Sequence, residues 1–139
     1  MRVLIVDDQA VNRELARALL EHRGHAADEA ASAAAAIAAL DRGPAPDVVL
    51  LDIDLPGGGL TVAAHIRAAP ALEGVTVIAY TALAMRGDRE RLLAAGCDGY
   101  ISKPISVRTF VAEIEAVHEG RRHGPTGPPS ADPGPRGAG

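Results

Sequence analysis

Aromatic side chains are almost missing from this sequence: Tyr80, Tyr100 and Phe110 are the only three, and there is no tryptophan. A core must therefore be built from Val, Ile, Leu and abundant Ala, which packs helices closely and leaves little for stacking on nucleic-acid bases. Cysteine is limited to Cys97, which excludes an intrachain disulfide and a cysteine metal cluster. That residue reads as a small buried hydrophobe. Positive charge is not in excess either. The net charge is −4, whereas a nucleic-acid surface normally appears as a basic patch, so no nucleic-acid partner is expected. Arg86, Arg89 and Arg91 do recur, but Asp88 and Glu90 interleave with them, and the stretch reads as a solvated helix face. No apolar run approaches the roughly 18 residues of a bilayer span. The opening Met1–Val6 meets Asp7 and Asp8 too soon for a signal peptide. The expectation is a cytoplasmic protein with no membrane partner.

What is present is a single-domain pattern. A chain of 139 residues that is 47% apolar and 23% charged can bury one sizeable core. Short continuous apolar runs rich in β-branched residues occur at Val3–Val6, Val48–Leu51 and Val75–Tyr80. Runs of that length suit parallel strands buried on both faces. Weaker strand signals lie at His25–Ala30 and Gly99–Ser102.

Helical spacing separates these runs: Val11, Leu15 and Leu19; Ile37 and Leu40 behind Ser32 as N-cap; Leu60, Ala63 and Ile66; Leu92 and Leu93 before Gly96 as C-cap; and Phe110, Ile114 and Val117 behind Ser106 as N-cap. The order is β-α five times over, which predicts an α/β protein with a parallel sheet covered by helices on both faces. From Arg121 to Gly139 the chain is rich in Pro and Gly with almost nothing apolar. Such a segment cannot bury enough surface to offset its ordering entropy. The division is a folded domain over 1–119 and a disordered tail over 120–139, too short for an output domain.

The strand ends carry the chemistry. The first strand ends in Asp7-Asp8, the third in Asp52, the fourth in Thr81 and the fifth in Lys103. In open α/β sheets ligands bind beyond the carboxyl ends of the strands, and four of five strands deliver a charged or hydroxyl group there. One such residue would be unremarkable as a helix cap or a surface lysine; four together point to a site. Three carboxylates crowded together repel unless a cation joins them. A hard divalent ion such as Mg²⁺ suits them, because it needs only one or two direct carboxylates. An Asp carboxylate can also attack phosphorus to form an acyl phosphate. Lys103 and Thr81 would then meet the developing phosphoryl charge.

Val-Asp-Asp at 6–8, Leu-Asp-Ile-Asp-Leu-Pro at 51–56, Tyr-Thr-Ala at 80–82 and Ser-Lys-Pro at 102–104 together resemble the receiver domains of two-component response regulators. Residues 84–88 and 95–100 are similar to DivK-type stand-alone regulators and to receivers of hybrid kinases. The resemblance covers about residues 1–118. It implies a CheY-like, flavodoxin-like (βα)5 doubly wound sheet of strand order 2-1-3-4-5. It implies Asp52 as phospho-acceptor, Asp8 as direct Mg²⁺ ligand, Asp7 as ligand through water and Asp54 as ligand through its backbone carbonyl. Thr81 and Lys103 would contact the phosphoryl group and Ala82 would give it access. Tyr100 would turn inward as Thr81 moves.

The implied partners are a histidine kinase or histidine phosphotransfer protein and a downstream protein target, bound by a monomer or weak dimer. Catalysis would be confined to the protein's own phosphoryl transfer and dephosphorylation. Two departures stand out. The loop Pro56-Gly57-Gly58-Gly59-Leu60 is about one residue short of the family pattern, and its glycines suggest mobility. Asp54 and Leu83 stand where the family tunes phosphoryl lifetime.

Rival readings fit less well. In a haloacid-dehalogenase-like phosphatase the Asp52-Ile-Asp54 pair would follow the first strand, with a cap domain available. A pseudo-receiver would lack one of the acidic residues, the Thr or the Lys. A P-loop would need Gly-Lys-Ser/Thr after Gly57-Gly58-Gly59.

Overall fold

The three β-branched runs and the two weaker segments assemble into one sheet of five parallel strands, ordered β2-β1-β3-β4-β5, in a computed structural model that describes residues 1–82 and 86–123. The strands are β1 (Arg2–Val6), β2 (Ala26–Ala30), β3 (Val48–Asp52), β4 (Thr76–Thr81) and β5 (Gly99–Ser102). The helices are α1 (Ala10–His22), α2 (Ala33–Arg42), α3 (Gly59–Ala68), α4 (Arg86–Ala94) and α5 (Phe110–His123), with one turn of 3₁₀ helix at Pro70–Leu72. Every residue of β3 and β4 is buried, as expected for central strands covered on both faces.

Alternation along the strands divides the core in two. Val3, Ile5, Leu50 and Ile78 face Ala16 and Leu20 of α1 and Phe110 and Ile114 of α5. Leu4, Val6, Leu51 and Val77 face Ala36 and Leu40 of α2, Val62 and Ile66 of α3, and Leu92 of α4. Each buried Leu, Ile or Val contributes about 1.5–3 kcal/mol relative to exposure. Cys97 is buried in the second layer, as its reading as a small hydrophobe requires.

The Ser32 cap forms as expected, its hydroxyl accepting from the Ala35 N–H at 3.0 Å. Gly96 ends α4 with φ 109°, and the Cys97 N–H closes back on the Leu92 carbonyl.

Three expectations are corrected. The buried seam of α1 runs along Ala16 and Leu20, not Val11 and Leu15, which are exposed. Ala16 lets the helix approach the sheet closely, and that rotation turns the neighbouring stripe outward. Second, α5 begins at Phe110 rather than after Ser106. The Ser106 carbonyl instead accepts from both Thr109 and Phe110 N–H groups, closing a turn ahead of the helix.

Third, α5 runs past Gly120 to His123, because Arg121 has partners that a tail residue would lack. Its guanidinium donates to the Val75 and Glu73 carbonyls and stands 3.6 Å from Asp98. Leu83 and the segment from 124 onward lie outside the described residues.

Candidate functional site

Sheet register explains how residues so far apart in the chain meet. β1 and β3 are neighbours with Val6 opposite Leu51, so Asp7 emerges beside Asp52. Asp52 pairs with Tyr80, and Thr81 is the next residue. Thr81 pairs with Ser102, and Lys103 follows. The chain leaves β1 for β2 on one side and returns to β3 on the other, so the β1–β3 crevice is the switch point where such sheets bind ligands.

Asp7, Asp8 and Asp52 each present a carboxylate oxygen within 4.8 Å of one another. Asp7 is buried, its N–H donating to Ala30 of β2 and its Oδ1 accepting from the Gln9 N–H at 2.8 Å. Its Oδ2 is buried with no hydrogen-bond partner, which is costly for a carboxylate. Burial pushes the Asp7 pKa above the usual range, and the charge of Asp52 adds to it, against the Gln9 N–H and the Asn12 side chain. Asp8 is exposed at the rim. An orphaned buried oxygen in a set of hard oxygen donors fits a divalent cation such as Mg²⁺.

Asp52 is 2% exposed. Its Oδ1 accepts from the Asp54 backbone N–H at 2.9 Å and lies 3.1 Å from Lys103 Nζ. The Asp54 side chain is exposed. Lys103 Nζ also stands 4.9 Å from the centroid of the Tyr80 ring, a cation–π distance. Burial, with the charges of Asp7 and Asp52, pushes the Tyr80 hydroxyl up to about 12. Sequence reasoning missed this ring, since nothing in the pattern marks it as the wall against which the ammonium rests. It also missed a plain signal: Lys103 is the sole lysine of a chain that otherwise uses arginine.

The glycine loop is a defined turn. Gly57 and Gly58 sit at φ 90° and 87°, a region that side chains rarely adopt. The Gly58 N–H bonds to the Leu55 carbonyl, and the Thr61 hydroxyl donates to the Gly57 carbonyl. A Cβ on Gly59 would lie 2.3 Å from the Asp52 carbonyl oxygen. The loop therefore needs glycine for shape and for close approach to the end of β3, beyond any freedom to move.

Thr81 is buried at the end of β4, and Ala82 beside it is exposed. Tyr100 pairs with Ala79, two residues before the Thr81–Ser102 pair. Thr81 and Tyr100 therefore point to the same face of the sheet, with Tyr100 37% exposed. All the anticipated strand-end residues converge on one edge.

Comparison with known proteins agrees. Residues 3–115 match the model of the response regulator receiver domain. The polar-differentiation response regulator DivK of Brucella ovis is 42% identical over 117 residues, covering 82% of this chain and 93% of that protein. Among solved structures, the receiver domain of a sensor histidine kinase from Pseudomonas aeruginosa, with magnesium coordinated in its active-site cleft, is 32% identical at TM-score 0.72, covering 85% of this chain and 93% of that one. A CheY-like receiver from Methanospirillum hungatei is 28% identical at TM-score 0.76, covering 88% and 96%. Among the described residues no helix is long and apolar enough to cross a membrane. With sheet order, acidic crevice and sequence in agreement, this chain belongs to the receiver-domain family of two-component response regulators.

Proposed function

We propose that this receiver accepts a phosphoryl group on Asp52 from a histidine kinase or histidine phosphotransfer protein. The observation that carries the reading is the meeting of three carboxylates within 4.8 Å with Lys103 Nζ at 3.1 Å from Asp52. A carboxylate oxygen of Asp52 bonds to phosphorus as the P–N bond of the donor phosphohistidine breaks, and the departing imidazole takes a proton from solvent. Asp8, Asp52, Asp7 and the Asp54 backbone carbonyl are the groups that would hold Mg²⁺, and the ion would supply charge neutralisation on the phosphoryl oxygens.

Lys103 then exchanges its Asp52 partner for a phosphoryl oxygen, and the Thr81 hydroxyl donates to another. Ala82 is small enough to leave the entry open. As Thr81 is drawn in, it vacates space on the face that carries Tyr100. The ring fills that space and changes the surface offered to a downstream protein. The protein thus works by binding, and its catalysis is limited to its own phosphoryl transfer and loss.

Intact mass after treatment with acetyl phosphate and Mg²⁺ tests the assignment. The wild type is expected to gain one phosphoryl group and Asp52→Asn none. Equal modification of Asp52→Asn would overturn it.

A further inference from the structure

The three carboxylates need a defined geometry, yet Asp8 sits exposed at the rim. The peptide unit that joins it to Asp7 is planar, so holding that unit fixes the position and plane from which Asp8 departs and narrows where its carboxylate can reach. One side of Asp7 is fixed by the sheet, through its N–H on Ala30. The other side, its carbonyl, lies in the Asp7–Asp8 peptide itself and receives Nη1 of Arg13 at 2.8 Å. The same guanidinium donates Nε to Glu29 of β2 at 2.9 Å. Glu29 is held in turn by Arg17 on its other oxygen, also at 2.9 Å. Hydrogen bonds from Arg17 and Arg13 hold the Glu29 carboxyl below its ordinary range, so the brace stays charged at neutral pH.

We infer that Arg13 is a positioning residue for the cation site: its planar fork braces the Asp7–Asp8 peptide against β2 and so aims Asp8 into the crevice. The inference rests on the proposed binding of Mg²⁺ by the acidic cluster. Two effects of Arg13 oppose each other. As a nearby cation it repels Mg²⁺, and charge alone predicts tighter binding once it is removed. As a brace it preorganises a ligand, and loss of such outer support typically weakens metal affinity about 10- to 100-fold. The hydrogen bond to a backbone carbonyl favours the brace, because a purely electrostatic role would not need that acceptor.

Mg²⁺ titration followed by amide proton–nitrogen spectra at Asp8 and Asp52 separates the two, with the thermal midpoint of the metal-free protein recorded alongside. Arg13→Ala is expected to weaken Mg²⁺ about tenfold and to shift the Asp8 amide before any metal is added. Arg13→Lys keeps the charge but not the fork, and a smaller loss is expected. Equal or tighter binding by Arg13→Ala overturns the inference. If that variant does not fold, wild-type affinity in Arg13→Lys does so instead. No saturable response in the wild type would overturn the reading of the acidic cluster and the brace with it, an outcome distinct from a wild type that binds and a variant that binds as well.

Discussion

At the scale of single residues the structure separates glycines that are needed from those that are tolerated. Gly59 has no room for a methyl group, since its Cβ would fall 2.3 Å from the Asp52 carbonyl. Gly59→Ala must displace the end of β3 or the first turn of α3, and overpacking of this kind costs about 1–3 kcal/mol. Gly74 has nothing within 4 Å, so Gly74→Ala is the matched control and should change stability little. Urea unfolding of both variants measures the difference. Cys97 is equally decided by surroundings: burial and the charge of Asp98 push its thiol up to about 11. At pH 8 roughly one part in a thousand is thiolate, and the thiolate is the reactive form. Iodoacetamide should leave the folded protein nearly unmodified at that pH and label it readily in denaturant. The site residues Asp7, Asp8, Asp52, Thr81 and Lys103 were legible in the sequence because each lies at the carboxyl end of a strand signal, an apolar run for all but Lys103. Arg13 and Arg121 were not, since their acceptors include backbone carbonyls and such partners leave no trace in a pattern of side chains.

At the scale of elements, β1, β3 and β4 were legible as continuous apolar runs such as Val48-Val49-Leu50-Leu51, whereas β2 (AADEA) and β5 (GYIS) gave weak signals and were placed by the alternation of strands and helices. Helix faces and ends were harder. Val11 and Leu15 extend a helical stripe from Leu19 as well as Ala16 and Leu20 form one, yet only Leu19 of that stripe packs against the core, and the closeness of the sheet chooses between them. The end of α5 was misjudged because composition changes at Gly120 while the helix does not. Asp98 accounts for that continuation. It accepts from Arg67 at 2.8 Å and from the Val77 N–H at 2.8 Å, and Arg121 joins it from α5. The cluster fastens the last turn of α5 to the starts of β4 and β5. Truncation after Gly120 should therefore cost about 1 kcal/mol, allowing for the partial exposure of these charges, and lower the thermal midpoint by about 3–6 °C. Truncation after His123 keeps Arg121 and should not. Calorimetry on the two truncated chains distinguishes them, and equal midpoints would deny Arg121 this role.

At the scale of the whole molecule, the proposed switch joins the acidic edge to the exposed ring of Tyr100 through Thr81, along one face of β4 and β5. A ligand shifts such an equilibrium only by its differential affinity for the two arrangements. Beryllofluoride, which mimics the phosphoryl group, should therefore alter amide exchange in α4 and β5 as well as around Asp52. Thr81→Ala should retain Mg²⁺ binding and lose the distant part of that response. Exchange changes confined to Asp7, Asp8 and Asp52 would argue for a different mechanism. The register that assembles the site has a further effect on how the protein behaves when newly made. No two of the β1, β3, β4 and β5 contributions are adjacent in sequence, and each reaches the crevice only when its strand has paired. On the proposed function, an emerging or partly unfolded chain would carry Asp52 without Asp7, Asp8 and Lys103 gathered beside it, and would draw no phosphoryl group from a donor. Competence to receive a signal and completion of the sheet would then be a single event, set by the same strand register.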